Sequence, residues 1–92
     1  MTCYRLTCEN ERVFEIEIEC VAADNQTAGR VWKARLYRVE GGARAATPFR
    51  HENGEAIQIR ASTERTALRI SRHVLQAVMS SPIVSEEPAP QS

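Results

Sequence analysis

Hydrophobic and polar residues alternate along residues 13 to 21, which read Val-Phe-Glu-Ile-Glu-Ile-Glu-Cys-Val. A period of two is the spacing of side chains on one face of a β-strand, so this stretch predicts a strand. Its apolar face would carry Phe14, Ile16, Ile18 and Cys20. Its polar face would carry Glu15, Glu17 and Glu19.

Two further strands are predicted downstream. Residues 31 to 40 place Trp32, Ala34 and Leu36 on one face, and Gly41-Gly42 ends that strand. Residues 43 to 48 are interpreted as an irregular excursion, because a Gly-Gly pair and a proline both disfavour a continuing ladder. Asn53-Gly54 then indicates a hairpin whose arms would be residues 49 to 52 and 55 to 61.

After Ala61 the hydrophobic period changes to 3.6, which predicts a helix. Ser62 or Thr63 is the expected N-cap, and Pro82 would close the helix. Its apolar arc would comprise Ala67, Leu68, Ile70, Ser71, Val74, Leu75, Ala77, Val78 and Met79. Its polar arc would comprise Arg65, Arg69, Arg72, His73 and Gln76, with no acidic residue among them.

These elements predict an α+β domain over residues 13 to 81. We expect an antiparallel meander sheet of three or four strands with one C-terminal helix packed on one face, in the order β-β-β-α. Residues 1 to 12 are expected to be poorly ordered or to form a short strand, since Tyr4, Leu6 and Cys8 alternate with polar residues. Residues 82 to 92 are acidic and rich in proline, and we expect a disordered tail.

The composition narrows the classes of function. The formal net charge of the 92 residues is +0, so binding to nucleic acid or to an anionic membrane would have to be local. The N-terminus has no apolar signal core, and no run approaches the length of a membrane span. We therefore expect a cytoplasmic protein that does not bind membranes.

Charges are segregated along the chain. Residues 9 to 24 contain six acidic side chains and one arginine, whereas residues 30 to 50 contain six basic side chains and one glutamate. If the first two predicted strands pair, Glu15, Glu17 and Glu19 would face Lys33 and Arg35 across the sheet. An RNA-binding sheet would instead offer several exposed aromatic rings, and this face carries only Tyr37.

Two segments hold candidate binding residues. The helix contributes Arg65, Arg69, Arg72 and His73, and the loop from Gly41 to Asn53 contributes Arg44, Arg50 and His51. The helical cations are interpreted either as solvated side chains that pair with the acidic tail, or as a contact for phosphate or an acidic protein. Both interpretations are compatible with the sequence.

Catalytic and metal-binding motifs are weak. The three cysteines, Cys3, Cys8 and Cys20, form no C-x-x-C pair, so neither a disulfide framework nor a zinc site is indicated. Gly41-Gly42 precedes no helix or Lys-Ser/Thr pair and is not a phosphate loop. We expect a protein that is not an enzyme and that binds no cofactor or metal.

The junction Ala61-Ser62-Thr63-Glu64-Arg65-Thr66-Ala67-Leu68 resembles two small families in its passage from a third strand to a helix. Double-stranded-RNA-binding domains have such a junction with lysines around an alanine, whose place Ala67 would take. HicB-like antitoxins are similar in the Ser/Thr turn that leads to a helix with Glu and Ala-Leu. Both resemblances concern topology, and they carry no functional residues.

Two hypotheses about function follow. The first is a small non-catalytic interaction domain that binds a protein partner or a second copy of itself edge to edge, because a short sheet leaves strand edges exposed. The second is a nucleic-acid-binding domain that uses the basic helix face. Neither assigns the protein to a pathway.

Overall fold

The computed structural model describes residues 1–22, 30–50, 53–55 and 57–89. The elements in chain order are β1 (Thr2–Cys8), β2 (Val13–Ala22), β3 (Arg30–Glu40), β4 (Ala43–Arg44), β5 (Ile59–Ala61), α1 (Glu64–Met79) and β6 (Ile83–Pro88). The strands form one antiparallel sheet in the order β4-β3-β2-β1-β6, and β5 also pairs with β3. The α+β class is confirmed, but the sheet has six strands, and a strand follows the helix.

The core lies between the helix and one face of the sheet. Phe14, Ile16 and Ile18 of β2 are buried there, as the alternating pattern predicts. The helix covers them with a stripe at i, i+4 spacing, formed by Ala67, Ser71 and Leu75. Since β2 is flanked by β1 and β3, these three side chains share the core with Leu6 of β1 and Leu36 of β3.

Both helix ends are capped by local hydrogen bonds. The hydroxyl of Thr63 accepts a hydrogen bond from the backbone N–H of Thr66 at 3.1 Å, which identifies Thr63 as the N-cap. Ser80 ends the helix in the left-handed conformation, with φ of 50°. Inside the helix, the buried hydroxyl of Ser71 donates to the Ala67 carbonyl at 2.7 Å, so this polar group is satisfied.

The expectation of a disordered segment over residues 82 to 92 is wrong for Ile83–Pro88, which form β6 beside β1. The side chains of β6 are mostly exposed, so no hydrophobic pattern marks the strand. Backbone pairing with β1 holds it in place. The N-terminal segment adopts the strand alternative, and β1 lies inside the sheet with Leu6 and Cys8 buried.

The segment after β3 also differs from expectation. Gly41 and Gly42 have φ of 60° and 82°, which permits a two-residue turn, and Ala43–Arg44 then returns as β4. Residues 43 and 44 are therefore part of the sheet, although an irregular excursion was predicted. β5 pairs with Trp32–Ala34 of β3. The other arm of the predicted Asn53-Gly54 hairpin contains residues 51 and 52, which lie outside the described residues.

The burial of Cys8 allows the position of β1 inside the sheet to be tested. Its side chain is 1% exposed, and desolvation raises the pKa of its thiol above the ordinary value. A thiol with a raised folded-state pKa contributes stability below its unfolded pKa, and that stability is lost as pH rises through the folded pKa. We expect Cys3 and Cys20, which are partly exposed, to react with iodoacetamide in native protein while Cys8 does not.

Mass spectrometry after timed alkylation measures how fast each of these cysteines is modified. Cys8 should become reactive only when denaturant unfolds the protein. Rapid native modification of Cys8, at the rate of Cys3, would contradict the placement of β1 inside the sheet.

Candidate binding surfaces

The face of the sheet opposite the helix carries a network of ion pairs, which we call the charged sheet face. Its centre is Glu15 of β2, whose side chain is only 8% exposed. The carboxylate of Glu15 lies 3.4 Å from the guanidinium of Arg5 in β1 and 3.5 Å from the guanidinium of Arg44 in β4. Because burial of a carboxylate costs free energy unless it is paired, these two arginines offset the desolvation of Glu15.

The network continues along β2. Glu17 is 2.7 Å from Arg44 and 3.5 Å from Arg35, and Glu19 is 3.1 Å from Arg35. The hydrogen bond to Glu19 raises the pKa of Arg35 above its ordinary value. The predicted pairing of the β2 glutamates is therefore confirmed for Arg35. For Lys33, the described residues supply no carboxylate at ion-pair distance.

Arg44 has a structural partner on each side. Its guanidinium stacks over the ring of Tyr37 at 4.4 Å from the centroid, while its nitrogens contact Glu15 and Glu17. The stacking also occupies the one aromatic ring that the sequence places on this face. Sequence reasoning missed Arg5 and Arg44 as partners of Glu15 because β1 and β4 carry weak strand signals.

The basic helix face consists of Arg65, Arg69, Arg72 and His73. Together with Leu68 and Gln76 these side chains line a shallow groove of about 340 Å³. Arg72 is 3.1 Å from Glu86 of β6, which supports the interpretation that the helix pairs with the acidic C-terminal segment. Within the described part of the chain, the other three have no carboxylate at ion-pair distance.

The seven predicted site residues therefore do not form one surface. Four lie together on the helix, and Arg44 lies on the charged sheet face. Arg50 donates to the carbonyl of Gly54 at 3.2 Å and lines a separate cleft beside β3 and β5. His51 lies outside the described residues.

The described residues contain no group of three His, Cys, Asp or Glu side chains arranged to hold a metal ion. The three cysteines are free thiols. Across residues 1–22, 30–50, 53–55 and 57–89, no helix has both the length and the apolar character of a membrane span.

Comparisons with known proteins add no family. No protein-family model matches the chain, and neither a curated protein nor a solved structure gives a significant match. The resemblances to double-stranded-RNA-binding domains and HicB-like antitoxins thus receive no support.

The charged sheet face generates a stability prediction. Replacing Arg44 with methionine keeps part of the contact with Tyr37 but removes the charge between Glu15 and Glu17. We expect Arg44→Met to lower the free energy of unfolding by about 1–2 kcal/mol, since the pairs are partly exposed. Arg12→Met, at an exposed arginine outside the network, should change it by less than about 0.5 kcal/mol.

Urea denaturation of both variants measures the difference. The double variant Arg44→Met/Glu15→Gln should lose less than the sum of the two single variants, because the two residues interact. Strict additivity would show that the pair contributes nothing.

Proposed function

We propose that this chain is a small, non-catalytic protein-interaction domain that self-associates through the outer edge of β6. The observation that carries the proposal is the asymmetry of the two sheet edges. The edge of β3 is covered by β4, by β5 and by hydrogen bonds from Ala45 and Phe49. Among the described residues, no strand pairs with the outer edge of β6.

The direction of the backbone groups supports this proposal. The N–H of Ala89 donates to Cys3, and Ser85 and Glu87 are opposite Thr7 and Arg5 in the ladder with β1. The register with β1 shifts between Thr7 and Cys8, which leaves Val84 at a β-bulge. Along the regular part of an antiparallel strand the backbone groups alternate in direction, so those of Glu86 face outward. Such an edge is a template for another strand.

The composition of the edge favours a second copy as the occupant. Val84 is 62% exposed, which is unusual here for a large apolar side chain. Antiparallel pairing about a two-fold axis at Ser85 sets Val84 opposite Glu86 of the second copy and closes the assembly at two chains. Pro82 and Pro88 bracket the edge and keep the ladder short, so we expect a weak dimer that forms at high concentration.

Substitution of Glu86 tests the dimer. Glu86→Pro removes one outward N–H without removing a donor from the ladder with β1, whereas Glu86→Ala loses the same side chain, keeps that N–H and serves as the matched control. In sedimentation velocity experiments, wild type and Glu86→Ala should show a dimer that grows with concentration. Glu86→Pro should remain monomeric with an unchanged circular dichroism spectrum. A monomeric wild type at millimolar concentration would refute the proposal.

A second candidate function is nucleic-acid binding through the basic helix face. It is favoured by two neighbouring arginines, Arg65 and Arg69, and by His73 beside them, which have no carboxylate at ion-pair distance among the described residues. Phosphate groups are the ligand that such a face would attract, and because the net charge of the chain is +0 the attraction has to be local.

Titration of RNA and DNA at two salt concentrations tests this function. If it holds, Arg69→Gln should weaken binding roughly threefold or more at low salt and reduce the salt dependence, whereas Arg12→Gln, away from the helix, should not. Absence of binding at low salt would eliminate the second candidate and leave the dimer unaffected.

A further inference from the structure

A cleft opens at the edge of the sheet where β5 leaves β3. β5 pairs with β3 as far as Ala34. The next backbone hydrogen bond to this edge of β3 is the one that the Phe49 N–H donates to the Leu36 carbonyl. The cleft between these two closures has a volume of about 260 Å³. Its apolar lining is Ala34, Pro48, Ile57 and Ile59, and its polar lining is Lys33, Arg35, Arg50, Gln58 and Arg60.

The cations of this cleft are arranged unfavourably for the protein alone. Lys33 and Arg60 are direct partners in the β3–β5 ladder, and like charges that face each other across a ladder are destabilising. Within the described chain, neither has a carboxylate at ion-pair distance. Glu19 is opposite Lys33 on β2, but its carboxylate lies 3.1 Å from Arg35.

Among the described residues, the lining of the cleft includes no acid. Of the four cations, Arg35 is matched by Glu17 and Glu19, and Arg50 donates to the Gly54 carbonyl. The unmatched charge is therefore concentrated on the side where Lys33 and Arg60 meet. An anion in the cleft would convert their mutual repulsion into two attractive contacts.

We propose that this cleft binds a compact organic anion, with its phosphate or carboxylate group between Lys33 and Arg60 and a short apolar body against Pro48 and Ile57. Arginine can bind either oxyanion through two parallel hydrogen bonds. The volume is below the range of about 300–1,000 Å³ typical of sites for drug-sized ligands, so the ligand is small. The site shares no residue with the β6 edge or the basic helix face.

The ligand chemistry is tested with four probes on ¹⁵N-labelled protein. Phenyl phosphate and benzoate combine an anion with an apolar body, inorganic phosphate offers the anion alone, and benzyl alcohol offers the apolar body alone. Phenyl phosphate or benzoate should shift the backbone amide signals of Ala34, Gln58 and Ile59. Inorganic phosphate should bind more weakly, and benzyl alcohol should leave these signals unchanged.

Matched variants locate the site. Arg60→Gln and Lys33→Gln should each weaken binding of the better organic anion roughly tenfold, as expected for the loss of one charge-assisted contact. Arg69→Gln on the helix should leave it unchanged. Sedimentation of Arg60→Gln should match wild type, so failure of this proposal and failure of the β6 dimer are distinguishable.

Three results would overturn the proposal. The first is that neither phenyl phosphate nor benzoate shifts the backbone amide signals at low salt. The second is that benzyl alcohol and the anions shift the same signals equally. The third is binding that Arg69→Gln weakens as much as Arg60→Gln, because the anion would then be on the helix.

Discussion

The structure depends on the two faces of β2 and on the different partners that each requires. One face is apolar and is buried beneath the helix. The other carries Glu15 and Glu17, whose side chains are only 8% and 12% exposed although the helix does not cover this face. Charged carboxylates with so little water need cations at short range. Three other strands supply these cations, which are Arg5 of β1, Arg35 of β3 and Arg44 of β4.

This requirement ties the register of four strands together. A slip of one residue would turn every β2 side chain to the opposite face, so Ile16 would lose the core and Glu17 would enter it. The arginines would then face the wrong side of the sheet. Hydrophobic burial and ion pairing therefore favour the same register, which is how a chain of 92 residues with a small core obtains one arrangement of strands.

The same network shapes the surfaces that remain for binding. At the centre of the charged sheet face, acids and bases neutralise each other and the ring of Tyr37 is covered, so this part of the face offers little to an anionic partner. Cations that have no carboxylate at ion-pair distance among the described residues lie on the outer side of the helix and in the cleft beside β5, at one end of the charged sheet face. In the described part of the chain, backbone groups without a partner strand lie at β6, on the far edge of the sheet. Each proposal uses one of these three features.

Some of this architecture is predictable from the sequence, and the limits have physical causes. β2, β3 and the helix each bury one face, so their hydrophobic periods are visible, and Thr63 was one of the two expected N-caps. β6 is held by backbone hydrogen bonds to β1 and exposes most of its side chains, so it has no such period. Arg44 pairs with glutamates 27 and 29 positions away, a relation that only the turn at Gly41-Gly42 creates.

Cross-strand NOEs between Hα protons report the register of β2 with its two neighbouring strands. Arg5 and Glu15 face each other across β1 and β2, and Ile16 and Leu36 face each other across β2 and β3. At these non-hydrogen-bonded positions the Cα atoms approach to about 4.5 Å, so strong NOEs are expected for both pairs. NOEs displaced by one residue, such as Arg5 with Ile16, would contradict the account.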